Sequence, residues 1–283
     1  MHILTFDIEE WFQLLEHPAT RTPEQWRTYE ERIIRNTDRI LQLLANTGQA
    51  ATFFVLGWIA EKYPDVVRKI ENNGHEVGLH SFNHILAWEQ SRNSFRQDTQ
   101  RGIKVIEDIT GKKVSIYRAP GFSINESTLW ALEILIESGI TTDASIFPAA
   151  RAHGGFRSFP VDRPCLIDFQ GFQIKEFPIN AGMLAGNRII FSGGGYFRLW
   201  PYFAIRMLTL NSDYVMSYFH PRDFDATQPM LKGLSYIRKF RSYYGLSATE
   251  EKLMHWLSDF SFTDLRTASA SFDWTKATIV YAR

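Results

Sequence analysis

The chain has 283 residues, 45% of them hydrophobic and 22% charged, a composition that fits an ordinary soluble globular protein with ample core, in one large domain or two small ones. Its 31 basic residues balance its 31 acidic ones, so net charge offers no electrostatic argument for nucleic acid or an anionic membrane, and a neutral or modestly charged substrate fits better. The one cysteine, Cys165, excludes an internal disulfide and lacks a second thiol for metal binding.

Taken in chain order, Met1-His2-Ile3-Leu4-Thr5-Phe6-Asp7 lacks the basic region and long apolar segment of a secretory signal. No later run approaches the roughly 18 apolar residues of a membrane span. Cytoplasmic residence without membrane insertion is therefore expected. Strand patterns fall at 2–6, 51–56, 75–80, 115–117 and 141–144, with helical patterns between them. Ile33, Ile34, Ile40, Leu41 and Leu44 give one amphipathic stretch, and Val66, Val67 and Ile70 a second after the Pro64 start signal. Ser123 and Glu126 have capping-box spacing before a helix carrying Leu129, Leu132, Ile134 and Leu135. Alternating strands and helices predict a parallel sheet or barrel.

From about 154 to 191 the pattern changes to short extended pieces, such as 165–169 and 172–177, punctuated by Pro and Gly. This reads as a β-rich insertion. Helical and strand patterns return at 199–210 and 214–220. The tail adds an amphipathic segment over 231–244, a capped helix at Ser247 with Glu250, and a final alternating strand near 266–272. One domain over 1–283, with an insertion at about 154–191 and a C-terminal extension from about 222 to 283, is the economical reading.

His80 and His84 follow the apolar stretch Glu76-Val77-Gly78-Leu79. A helix or tight turn entered at His80 brings positions i and i+4 to one side, where both imidazoles can close on one metal ion. In metalloprotease helices the base follows the first His; here that place holds Ser81, so a base must come from elsewhere. In parallel α/β folds functional groups gather at the carboxyl ends of strands. Those ends carry Asp7, Glu9 and Glu10 after strand one, His80 with His84, then Arg118, Asp143 and His220. A carboxylate from Glu9 or Asp7 would complete a His-His-carboxylate set with open coordination positions, as a catalytic metal requires.

These residues resemble the motifs of the polysaccharide deacetylases of carbohydrate esterase family 4, the NodB-homology family. Thr5-Phe6-Asp7 is similar to the start of the first family motif, His80-Ser81-Phe82-Asn83-His84 to the second and Arg118-Ala119-Pro120-Gly121 to the third. Ala51 to Val55 and Asn73 to Leu79 are similar to family strands. Gly193 to Arg198 and Tyr218-Phe219-His220-Pro221 resemble a branch with an extended C-terminal region, found near exopolysaccharide and surface-glycan gene clusters; exopolysaccharide or lipopolysaccharide biosynthesis would be its setting.

The resemblance implies an α/β fold, a distorted (β/α)7 barrel, and metal-dependent removal of N-acetyl groups from an amino sugar in a polysaccharide or glycan precursor. It implies one divalent metal, zinc first and cobalt or nickel next. Asp7 would be the base, Arg118 would keep its carboxylate ionised and aimed, and His220 would donate a proton to the departing amine. Asp143 would orient that His, and a backbone amide near Gly121 would help hold the oxyanion. The chain departs from the family at the first motif, where two adjacent aspartates are usual and Asp7-Ile8-Glu9-Glu10 stands here. On an extended backbone residues i and i+2 face one way, which makes Glu9 the preferred metal carboxylate; Glu10, or Asp7 alone, is the alternative.

Trp11, Phe12, Phe122 and Trp58 near strand ends are candidate sugar platforms, and Tyr196 a candidate substrate contact. Gly193 to Gly195 lacks the Lys and the strand-turn-helix setting of a phosphate loop and reads as a turn or a close backbone approach. His75 and His153 read as structural or surface residues, with His153 a lesser candidate for the cleft. Two other functions stay open: hydrolysis of small amides of the allantoinase-like type, and a catalytically silent glycan-binding subunit.

Overall fold

The computed structural model describes residues 1–282 apart from 16 and 152. Its centre is an eight-stranded sheet in the order Thr278–Ala282, Cys165–Phe169, Phe172–Glu176, Thr142–Asp143, Ile116–Tyr117, Glu76–Leu79, Thr52–Val55 and Thr5–Ile8. Every neighbouring pair is parallel except the hairpin of Cys165–Phe169 with Phe172–Glu176. Thr5–Ile8 and Thr52–Val55 are buried at every position, as strands covered on both faces must be.

The segment 215–219 lies on the far side of strand one. Asp7 N donates to Phe219 O at 2.8 Å and Phe219 N donates to Thr5 O at 3.1 Å. Beyond it the backbone pairs with Gly193 in a single parallel bridge at Tyr218, and side chains supply further links: Tyr214 Oη donates to Pro178 O and Met216 N donates to Asn180 Oδ1. The result is a distorted, barrel-like α/β sheet whose strand ends point to one rim.

Some elements differ from the sequence pattern. The helix Arg92–Thr110 has an apolar stripe broken in its middle. Its buried face sets the small or polar Asp98, Thr99 and Gly102 between Phe95 and Ile106. The expected strand near 266–272 is the helix Leu265–Ser271, capped by Asp264 accepting from Thr267 N at 2.8 Å. Only Leu265 and Ala268 are buried in it, an i, i+3 pair; the edge strand comes later, at Thr278–Ala282. Asn125 rather than Ser123 makes the capping box, because Ser123 Oγ accepts from Ala87 N. The stretch 199–210 is split at Pro201 into the helices Gly194–Leu199 and Tyr202–Leu210. Ser247 lies in a short turn before the helix Thr249–Asp259.

Two packing details fix the rim. The helix Gly57–Lys62 aims its first amides at the loop after Leu79, with Gly57 N donating to Ser81 O and Trp58 N to Phe82 O. A Cβ on Gly57 would lie 2.4 Å from the Phe82 ring and 3.0 Å from Phe82 Cα. Gly57→Ala should therefore cost about 1–3 kcal/mol of stability, read by denaturant unfolding; an unchanged midpoint would show the loop yields freely.

Glu76, at the opposite end of its strand, accepts from Thr52 Oγ1 at 2.6 Å and from Arg266 N at 2.9 Å. Burial lifts it from 4.5 to about 7, with Asp264 adding and Thr52 and Arg266 opposing. The folded chain thus holds an extra proton between those values, and this contribution to stability is lost as pH rises through that window. Glu76→Gln should flatten the decline between about pH 4.5 and 7 in unfolding curves; an identical slope would remove Glu76 as its source.

Candidate active site

The strand Thr5–Ile8 and the residue after it supply two carboxylates from alternate positions: Ile8 is buried in the apolar core while Asp7 and Glu9 line the cleft at the rim. The loop after Leu79 supplies both imidazoles. It is a clamped turn rather than a helix, with Ser81 and His84 both in the left-handed region (φ 59° and 57°), a conformation that surrounding bonds must enforce. Asp98 does so from the long helix, accepting from Phe82 N at 2.7 Å and from Asn83 N at 3.0 Å, while Ser81 Oγ accepts from His84 N.

One donor atom from each of Glu9, His80 and His84 lies within 4.8 Å of the others, and all three residues are buried. Glu9 Oε2 is 2.5 Å from His84 Nε2. His80 Nδ1 faces Arg118 O at 2.8 Å; with the proton on Nδ1, Nε2 keeps its lone pair for a metal, the usual arrangement of a ligating imidazole. Burial alone would raise Glu9, but His84, His220 and His80 outweigh it and hold the carboxylate at about 2. Burial, reinforced by His84, lowers His80 to about 4 despite Asp7 and Glu9. An ionised carboxylate beside a neutral imidazole is the donor chemistry a divalent cation needs, so these residues fit the metal.

Glu10 does not compete. Its Oε1 accepts from Arg32 N and Ile33 N at 2.7 and 2.9 Å, closing the start of the helix Ile33–Thr47, and burial lifts it to about 7. Asp7 Oδ1 takes Arg118 Nη1 at 2.8 Å, and the three-residue donor set is made with Glu9. That guanidinium is fully buried and also donates to Thr5 Oγ1 and Ala144 O.

His220 Nε2 stands 3.8 Å from Asp7 Oδ2 and 3.6 Å from Glu9 Oε1, on the open side. Its Nδ1 meets Asp223 Oδ2 at 3.1 Å. Burial would lower His220, but Glu9, Asp223 and Asp7 together lift it to about 9. Asp223 itself is held well below its ordinary value: burial opposes this, and Arg198, 3.2 Å away, and His220 prevail.

The orienting role expected of Asp143 is corrected here, because the structure gives it to Asp223. Asp143 is hydrogen-bonded to Glu176 in a fully buried carboxyl pair, where burial raises both values and one proton can be shared. It also accepts from Ser145 Oγ and Ser145 N. Asp223 had a local signal, a carboxylate three residues after His220 with Pro221 between, which forms a capping box here. Asp98 had none.

These groups floor a cleft of about 680 Å³, whose walls include Gly121, Phe122, His153, Tyr196 and Tyr218. Trp11 is corrected: it is buried against Phe12 and Tyr29, with its Nε1 donating to Glu30 O. Phe12 and Trp58 are core residues too, and His75 packs on Phe53. At the glycine run the close approach holds, since a Cβ on Gly193 would lie 2.1 Å from Tyr218 O.

Residues 18–136 match the polysaccharide deacetylase family model. That span is similar to a polysaccharide deacetylase domain. Residues 144–270 match the model of a domain of unknown function, DUF3473. A peptidoglycan-N-acetylglucosamine deacetylase from Bacillus cereus is 33% identical over 98 residues, 34% of this chain and 36% of that protein. A chitooligosaccharide deacetylase from Azorhizobium caulinodans is 29% identical over 85 residues, 30% of this chain and 40% of that protein. The chain thus matches roughly a third of the length of such curated relatives.

Among solved structures, a provisionally named polysaccharide deacetylase from Mycobacterium smegmatis superposes with a TM-score of 0.67 at 20% identity, over 99% of this chain and 92% of that one. A carbohydrate esterase family 4 pseudoenzyme from Bacillus anthracis gives 0.53 at 13% identity, over 100% of this chain and 69% of that one. Both likenesses are of fold.

Glu9→Gln should weaken zinc binding by about 10- to 100-fold or more, and Asp98→Ala by about 10- to 100-fold through loss of the loop clamp. Glu10→Ala should instead cost about 1–2 kcal/mol of stability and leave zinc affinity in place. Calorimetric titration beside unfolding curves checks all three; equal affinity losses for Glu9 and Glu10 would remove the distinction drawn between them.

Proposed function

We propose that the protein is a metal-dependent N-deacetylase of an amino sugar in a polysaccharide or glycan precursor. The observation that carries the reading is the placement of Asp7 and His220 beside the Glu9, His80 and His84 donors in one cleft. The deacetylase family match and the glycan deacetylases among the relatives agree with it. Zinc suits two imidazoles and a carboxylate best, with cobalt or nickel as substitutes.

Bound there, the cation would polarise the acetamide carbonyl and make water a better nucleophile. Asp7 accepts the proton released as water adds to the acetyl carbon, and Arg118 fixes the carboxylate's direction. His220 gives its proton to the sugar nitrogen as the C–N bond breaks, so the products are acetate and a free amine. Asp223 holds the imidazole by Nδ1, leaving Nε2 to face the nitrogen. Phe122, Tyr196 and the backbone at Gly121 form the walls against which the sugar lies.

Metal-loaded protein incubated with a panel of N-acetylated oligosaccharides should release acetate, lose this activity to a chelator and regain it with zinc. Asp7→Asn and His220→Gln should each lower the rate about 100- to 10,000-fold while zinc still binds. Sugar binding without acetate release from any member of the panel would point instead to a silent glycan-binding subunit.

A further inference from the structure

The charges around the cleft are sorted by role. The carboxylates among its described lining residues are Asp7, Glu9 and Asp223, and all three are engaged by Arg118, His84 and Arg198. The remaining fixed charges on the walls are arginines: Arg151, Arg198, Arg222, Arg238 and Arg241. Two of these are structural. Arg198 and Arg222 are buried, Arg198 on Asp223 and both on backbone carbonyls between 241 and 244.

Arg151 is different. Its guanidinium carbon lies 4.9, 4.5 and 5.4 Å from the ring centres of Phe122, Phe147 and Tyr218. Its Nη1 is shielded from solvent with no hydrogen-bond partner, and the side chain makes no ion pair among the described residues. Tyr218 takes a side-chain hydrogen bond from this half-buried guanidinium, and the aromatic faces favour the cation, but Nη1 is left with its donors unused. Arg241 stands exposed on the same wall: the Gly194 position packs on Tyr218, and Arg241 O lies 3.4 Å from the Gly195 Cβ position. Guanidinium groups donate only, in a planar fork that matches carboxylate and phosphate.

We infer that the glycan taken by this cleft is anionic, with a carboxylate or phosphate lying on the Arg151 and Arg241 wall next to the N-acetyl sugar. The inference rests on the deacetylase reading and names its substrate class. A neutral chain would leave Arg151 Nη1 unpaired, whereas an acidic residue beside the reacting sugar would pair it and fix its register over the metal donors.

The test compares a neutral chitooligosaccharide, an N-acetylated oligosaccharide containing uronic acid, and uridine diphosphate N-acetylglucosamine, by acetate release from zinc-loaded protein. At least one anionic substrate should exceed the neutral one about tenfold in kcat/KM, with the advantage shrinking as salt rises. Which anionic arm leads distinguishes carboxylate from phosphate. Arg151→Gln and Arg241→Gln should each narrow the ratio, while Arg206→Gln, whose guanidinium pairs with Asp259 outside the cleft, should leave it unchanged.

Independently of turnover, metal-free protein should bind N-acetylglucosamine 1-phosphate more tightly than N-acetylglucosamine, and Arg241→Gln should abolish the difference. Equal rates on neutral and anionic substrates, or equal affinity for the two monosaccharides, overturns the inference. Charge-dependent binding without acetate from any substrate sustains it and overturns the deacetylase reading alone.

Discussion

Arg118 ties Asp7, the proposed base, and His80, a proposed metal ligand, to a single residue. Its guanidinium, fully buried, grips Asp7 Oδ1 at 2.8 Å, while its backbone carbonyl faces His80 Nδ1 at 2.8 Å. A buried cation of this kind is costly unless its partners are well placed, and here they come from separate strands: Thr5 and Asp7 from the first, Ala144 from just after Thr142–Asp143. The Phe54 ring, 4.2 Å from its guanidinium carbon, completes the enclosure. The positions of Asp7 and His80 are therefore held through Arg118 by the sheet, which is the rigidity the proposed hydrolytic centre needs.

Two family-model spans meet in one cleft. The span matching the deacetylase model contains His80, His84 and Arg118, whereas the one matching DUF3473 contains His220, Asp223 and the arginines of the far wall. The parallel bonding of 215–219 to strand one joins them, since Asp7 N donates to Phe219 O immediately before His220. The C-terminal half is thus part of the site and its charge, not a separate appendage.

How far the sequence revealed this depends on the kind of signal. Strand ends were legible because the apolar runs are buried on both faces and stop sharply at polar residues, and Glu9 followed from the two-residue period past Asp7. The helix Arg92–Thr110 was not legible, because Asp98, Thr99 and Gly102 interrupt its apolar stripe between Phe95 and Ile106. With that helix went Asp98, the clamp on the histidine turn. Asp143 was misplaced for a related reason: a carboxylate at a strand end reads alike whether it faces the cleft or a neighbouring Glu176, and only the pairing of Asp143 with Glu176 across adjacent strands distinguishes them. Trp11 sat close to the site in sequence, yet its indole is used to anchor Glu30 O. Strand periodicity reports which face a residue takes, not which aromatic will line a cavity.

The convergence of Glu9, His80 and His84 is tested most directly by crystals grown with zinc and diffraction recorded on both sides of the zinc absorption edge. An anomalous peak bonded to one oxygen of Glu9 and to both imidazoles, at about 2.0–2.2 Å, is expected. A fully loaded protein whose zinc sits elsewhere, or is held by Glu10 in place of Glu9, would be incompatible with the centre described.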